Sequence, residues 1–167
     1  MAWTKCRQIR KFGLRVLGFE LVSGRECLEK IEQNDKRRYP LDDEVNLMIV
    51  TNQGTLNVVT SEGFIFDGRS GPKLVDWYVP NLGTIEERIC WFVHDCNGYG
   101  LDLSFEDTNV LLFAMLRDLA HYRASKANII QLAVSLSRSW YGEPKVGEWC
   151  RENIGRVRTC WLPKSED

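Results

Sequence analysis

The residues best suited to chemistry are His94 and Asp95, together with Asp107 on the next predicted helix. The chain contains 2 histidines, and His94 lies beside a carboxylate near the end of a predicted helix. An imidazole oriented by a carboxylate is a common general base for activating water. We therefore predict that the His94 and Asp107 side chains lie within hydrogen-bond reach, directly or through one water. Asp95 lies about 100° further around its helix, where its oxygens would suit a cation such as calcium.

A structural role for the same residues is the alternative interpretation. A His–Asp pair at two helix ends satisfies backbone groups and fixes a turn, and Asp107 near a helix N-terminus is favoured by the helix dipole. We weigh this role slightly above the catalytic one, because such carboxylates occur in scaffolds as well as in active sites. Cys90 and Cys96 are expected to be free thiols, since no fourth ligand has the spacing of a zinc site and none of the cysteines is expected in a disulfide.

A glycine-rich loop carries the second candidate pair, Asp67 and Ser70. Side chains of this kind fold back onto backbone amides and form an Asx-type turn. A nucleophilic role for Ser70 is disfavoured, because Pro72 stands where the nucleophile elbow requires glycine. The sequence therefore predicts a turn at this loop.

The order of apolar patterns predicts an α+β fold with strands first and helices second. Two β-rich segments, VNLMIV and TLNVV, flank a hairpin turn at 51–54, and FIF at 64–66 is expected to complete a three-stranded antiparallel meander. Helical patterns follow, starting at Thr84, Ser104 and Ser125. The first two helices are joined by a short loop, which predicts an antiparallel hairpin with His94 and Asp107 at the same end.

The last two segments of the chain are a third predicted helix and a polar tail. The third helix is predicted to carry an apolar stripe of Ile129, Ala133, Leu136 and Trp140. The polar tail at 143–167 contains Trp149 and Trp161, which are predicted to contact a partner because aromatic side chains dominate interfaces.

Composition narrows the class of protein. The chain has 167 residues, 44% of them hydrophobic, and a formal charge of −1, which indicates one folded domain and argues against a disordered chain. No global cationic field is expected to attract nucleic acid or an anionic membrane. The longest strictly apolar run, 110–116, is too short to span a bilayer, and no secretory signal is evident at the start, so we expect the chain to fold in the cytoplasm of the cell that makes it.

The order of these motifs resembles a domain of unknown function, number 1353, found in tailed-phage and prophage genomes. The resemblance covers about 58–142, with an N-terminal extension at 1–57 and a C-terminal tail at 143–167 within a single domain. It rests on GFIFD with a Ser-x-Pro loop, on FVHD, on a helix beginning at ED, and on SRSWYG. The matching positions are Asp67, Ser70, Pro72, His94, Asp95, Asp107, Phe113 and Gly142.

The resemblance implies a bacteriophage protein that acts by protein–protein contact, as a tail or connector component of the virion or as an assembly accessory. Its implied partners are other phage structural proteins or further copies of itself, with no cofactor. The His94, Asp95 and Asp107 arrangement is also similar to secreted phospholipases of the A-two type, which implies calcium-dependent lipid hydrolysis as the alternative. Inhibition of a host defence system is a third interpretation.

Overall fold

Strands at both ends of the chain and helices in its second half build the fold. The computed structural model describes residues 8–32, 38–68, 78–80, 82–100, 102–141 and 151–165, without the side chains of residues 100 and 137–141. In chain order the elements are β1 (Val16–Ser23), α1 (Arg25–Glu29), β2 (Tyr39–Pro40), β3 (Val45–Thr51), β4 (Gly54–Thr60), β5 (Ile65–Phe66), α2 (Ile85–Gly100), α3 (Phe105–Asp118), α4 (Ala124–Tyr141) and β6 (Val157–Pro163). The fold is therefore α+β, as the sequence predicts.

The main sheet is antiparallel, with the strand order β1-β3-β4-β6. Side chains alternate along β3 and β4, so that Leu47, Ile49, Leu56 and Val58 are fully buried on one face. Helices α2 and α3 cover this inner face, since α2 contacts β4 and β6 while α3 contacts β1. The predicted β3–β4 hairpin is confirmed, and Val50 pairs with Thr55 beside its turn.

The predicted third strand of the meander is placed differently. Ile65 and Phe66 of β5 pair with Tyr39 and Pro40 of β2 in a separate two-stranded sheet. The second neighbour of β4 in the main sheet is instead β6, while β1 pairs with the other side of β3. Local sequence order suggested a continuous meander, but the long-range pairing of β4 with β6 takes the place of its third strand.

The described part of the C-terminal tail contributes strand β6 to the main sheet, which the sequence patterns do not predict. Strand β6 pairs antiparallel with β4, so that Pro163 lies opposite Gly54 and Val157 lies opposite Thr60. Trp161, predicted as an interface residue, faces the core with 5% of its surface exposed. The prediction was wrong because the partner strand of β6 lies about a hundred residues earlier, where local patterns give no signal. Trp149 and Ser70 lie outside the described residues.

Each of the first two long helices begins with a capping interaction that the sequence predicts. Ser104 Oγ accepts a hydrogen bond from the Asp107 amide at 3.0 Å. Before α2, the Thr84 amide donates to Glu87 Oε2 at 2.7 Å and the Glu87 amide donates to Thr84 Oγ1 at 3.3 Å, which completes a reciprocal capping box. Helix α2 contacts α3, and α3 contacts α4. Within the described parts of the chain, no helix is long and apolar enough to cross a bilayer.

Helix α4 has apolar residues on two different faces. Ala127, Ile130 and Val134 are buried and face the core. Ile129 and Leu136 of the predicted stripe instead face solvent. Ile129 and Leu136 therefore lie on the outer face of α4, because a rotation of about 100° per residue separates Ile129 from Ile130. The side chain of Trp140, the last member of the predicted stripe, lies outside the described residues.

Candidate functional site

His94 lies buried between α2 and α3, with only 6% of its surface exposed. Its Nε2 lies 3.0 Å from Asn109 Oδ1. Because an amide oxygen only accepts hydrogen bonds, Nε2 donates and carries the ring proton. Burial lowers the pKa of His94, while the hydrogen bond to Asn109 and the negative charge of Asp67 partly oppose that shift. The ring is therefore held in its neutral form.

Asp107 faces a different part of the molecule. Its carboxylate accepts hydrogen bonds from the backbone amides of Gln8 at 2.8 Å and Ile9 at 3.3 Å. Asp107 and Asn109 are two residues apart, so their side chains diverge by about 200° around α3. Since Asn109 faces His94, Asp107 points to another side of α3, and the described hydrogen bonds of the two side chains go to other partners. A contact between His94 and Asp107 through one water stays a prediction. Asp107 is fully buried, and it holds the N-terminal segment against α3 through the amides of Gln8 and Ile9.

Asp67 and Asp95 do come together near His94. The Asp67 amide lies 3.4 Å from Asp95 Oδ2, so the chain leaving β5 is hydrogen bonded to α2. The charge of Asp67 also acts on the His94 ring. Three positions singled out from the sequence, Asp67, His94 and Asp95, therefore converge where β5 meets α2.

Asn109 is the member of the site that the sequence did not reveal. Its Oδ1 accepts from His94 on α2, and its Nδ2 lies 3.4 Å from Ser135 Oγ on α4. One amide thus connects three helices. The sequence offers one signal for Asn109: it lies one residue before the apolar run of α3, at a position where burial is expected. An unpaired polar side chain there would be costly. Hydrophobic patterns do not show which partner such a side chain finds.

Some buried polar atoms near this region have no partner among the described residues. They are both side-chain polar atoms of Asn97, Trp91 Nε1 and Thr108 Oγ1. Asn97 is one helical turn beyond His94, and Thr108 directly precedes Asn109. Because buried polar groups are almost always hydrogen bonded, these atoms are candidates for contact with ordered water.

A second polar cluster fixes the start of α2 to the start of α4. Tyr122 Oη donates to Glu87 Oε1, the second oxygen of the capping carboxylate. Burial, followed by the bond to Glu87 and its charge, raises the pKa of Tyr122. Lys126 Nζ lies 4.1 Å from the Tyr122 ring centre and 5.0 Å from that of Tyr78. These contacts hold α4 against the rest of the helical layer.

The chemistry open to the His94 region is limited by these contacts. A general base must reach a substrate water, whereas His94 is enclosed and its Nε2 is engaged by Asn109. Within the described residues, no group of three or more His, Cys, Asp or Glu side chains is arranged to hold a metal ion. Calcium binding by Asp95 stays a prediction. The observed arrangement joins secondary-structure elements.

The cysteines agree with the expectation of free thiols wherever they are described. The described free thiols are Cys27, Cys90, Cys96 and Cys160. Burial is the main cause that raises the pKa of both Cys90 and Cys96. Protonated, enclosed thiols of this kind are poor nucleophiles. Cys6 and Cys150 lie outside the described residues.

Comparisons with protein-family models, with curated proteins and with solved structures give no match to this chain.

Proposed function

We propose that the protein acts by protein–protein contact, as a structural component or assembly accessory of a tailed phage. The observation that carries this proposal is the outer face of α4, defined by Ile129, Leu132 and Leu136. Their surfaces are 53%, 59% and 46% exposed. The three positions are spaced three and four residues apart, so they form one stripe along the helix.

This stripe is not needed to hold α4 in the fold. The buried side of the same helix, with Ala127, Ile130 and Val134, already packs against the core. A helix with apolar residues on two faces leaves the second face to an intermolecular contact, since clustered exposed apolar side chains mark interaction sites. An amphipathic helix or an apolar groove is the form of partner that such a stripe accepts.

Charge further defines the partner. Helix α4 contains Lys126 and Arg138 but no acidic residue. Because α4 carries no carboxylate, a partner surface with a neutral or acidic border would meet no like-charge repulsion there. Electrostatic complementarity with the cations of α4 favours such a partner. Another phage structural protein with an apolar stripe and acidic flanks fits these requirements.

The buried site also favours contact over hydrolysis. His94 is bonded to Asn109, and Asp107 is bonded to two backbone amides, so both groups serve the packing of the chain. The phospholipase alternative requires a solvent-reachable base that is oriented by the carboxylate of the second helix. The hydrogen bonds observed for these two residues do not support that arrangement.

A complementation experiment tests the proposal. A phage carrying a deletion of this gene is supplied with the wild-type chain, with Leu132→Asp, or with Ile154→Asp as a matched control. Ile154 is similarly exposed but lies outside α4. We expect Leu132→Asp to lower the yield of infectious particles at least about tenfold, because a charge in an apolar contact is strongly unfavourable. Ile154→Asp should restore the wild-type yield. Equal yields from both variants would contradict the proposal.

An enzymatic assay of the purified chain tests the alternative. The protein is incubated with phospholipid and calcium, and released fatty acid is measured. We expect no release above the protein-free reaction. Calcium-dependent release that is lost in Asp95→Asn, with unchanged thermal unfolding, would replace the contact proposal with the hydrolase.

A further inference from the structure

Exposed apolar side chains from separate segments lie at the end of the main sheet that carries the β3–β4 turn. Phe12, Leu17, Val50 and Leu162 form this group, which we call the turn-end patch. The register places Gly18 beside Val50, Val50 beside Thr55, and Thr55 beside Leu162, all in the last row before the turn. Val50 and Leu162 point away from the helices, since their strand neighbours Ile49 and Trp161 are buried.

Phe12 is the most exposed member of the patch, at 93%. Hydrogen bonds from the β3–β4 turn hold its loop: Asn52 Nδ2 donates to the Gly13 carbonyl at 2.7 Å, and Gln53 Nε2 donates to the Arg10 carbonyl at 2.8 Å. Gly13 has a φ of +75°, which permits the tight turn that follows Phe12. An aromatic ring is thus presented to solvent at the tip of a fixed loop.

Positive charge borders the turn-end patch. Lys11 precedes Phe12 and is exposed, and the Lys164 amide bonds to the Gln53 carbonyl at 2.9 Å, which places Lys164 beside the same turn. Arg15, also exposed, lies 3.4 Å from Asp118 Oδ2. Asp118 is itself nearly buried and contacts Arg117 at 2.7 Å, so its charge is already compensated. The border presented by Lys11, Arg15 and Lys164 is therefore cationic.

We propose that the turn-end patch binds the surface of an anionic lipid bilayer, with Phe12 inserted at the headgroup level. A protruding aromatic side chain suits a deformable interface, and Phe, Leu and Val gain by leaving water there. The cations attract acidic headgroups. The formal charge of −1 for the whole chain excludes a global cationic field but not this local arrangement of cations.

Vesicle co-sedimentation of the full chain tests this inference. One set of vesicles contains phosphatidylcholine with phosphatidylserine, and the other contains phosphatidylcholine alone. We expect the protein to sediment with the anionic vesicles, to bind the neutral ones much less, and to dissociate as salt is raised. Lys11→Gln or Lys164→Gln should weaken the partition about fivefold each, and Phe12→Ser about tenfold or more.

Leu132→Ser is the control, because it removes an exposed apolar side chain from α4, outside the turn-end patch. It should leave vesicle binding unchanged, and thermal unfolding should show that every variant is folded. Absence of binding to anionic vesicles, equal binding to neutral ones, or an equal loss in Leu132→Ser would overturn the inference. In the first of these cases the cationic patch would be assigned to an acidic protein surface instead. The outcome is independent of the α4 contact, which uses a different face.

Discussion

At the residue scale, Asn109 determines what His94 does. The amide oxygen fixes the imidazole in one tautomer, and the amide nitrogen reaches Ser135 on α4. A polar path therefore runs through the helical layer from α2 to α4. Such buried networks specify one arrangement of helices, because a shift would leave several polar groups without partners.

The buried state of His94 predicts a pH dependence of stability. An unfolded histidine has a pKa of about 6.5, whereas burial lowers the pKa of His94 in the fold. Below about pH 6.5 the unfolded chain thus binds more protons than the folded chain, and stability falls as pH falls, by up to about 1.4 kcal/mol per pH unit. Thermal unfolding measured between neutral and mildly acidic pH should show this decline.

His94→Gln is the control for that measurement. Glutamine keeps a donor that is able to reach Asn109 but does not titrate, so the variant should lose stability less steeply over the same interval. Carboxylates contribute equally to both proteins. If the two slopes are the same, His94 is not the group responsible.

Asp107 offers a second test at this scale. Asp107→Asn weakens two charge-assisted bonds to backbone amides and should lower the free energy of unfolding by about 1–3 kcal/mol. The neighbouring Glu106→Gln makes the same charge change at an exposed position in the same helical turn. It should cost no more than about 1 kcal/mol. Urea denaturation of both variants measures the difference, and equal losses would mean that Asp107 acts only through the helix dipole.

At the scale of elements, α4 supplies an internal comparison between two adjacent isoleucines. Ile130 is 1% exposed, whereas Ile129 is 53% exposed. Ile130→Ala should destabilise the fold by about 2–5 kcal/mol, and Ile129→Ala should change stability by less than about 0.5 kcal/mol. Urea denaturation of the isolated protein gives both values. A large loss for Ile129→Ala would show that its face is already buried within the chain.

Local signals predicted most elements, and long-range pairing accounts for the errors. The caps at Thr84 and Ser104 and the β3–β4 hairpin depend on residues a few positions apart, so the sequence shows them directly. Strand β6 depends on β4, and the choice of the inner face of α4 depends on what the other helices present. The candidate site follows the same division: Asp67, His94 and Asp95 were found by motif, but Asn109 and the loop amides bound by Asp107 required the tertiary fold.

At the scale of the whole molecule, the helices cover one face of the sheet, and an aspartate binds one backbone amide on each of its two edge strands. The outward amide of Val16 on β1 donates to Asp118 Oδ2 at 2.8 Å, and the amide of Trp161 on β6 donates to Asp102. Capped edge amides discourage the addition of further strands. Association through side-chain surfaces, such as the outer face of α4, is therefore favoured over strand pairing at these two positions.

The central claim is that the outer face of α4 contacts a phage structural protein. Its most direct test places a photo-crosslinking amino acid at position 132 of the full chain, or at position 154 as the control, during phage production. Irradiation followed by mass spectrometry of the crosslinked product should identify one phage structural protein joined to position 132 and none joined to position 154. Equal crosslinking from both positions, or none from position 132 in cells that assemble particles, would contradict the account.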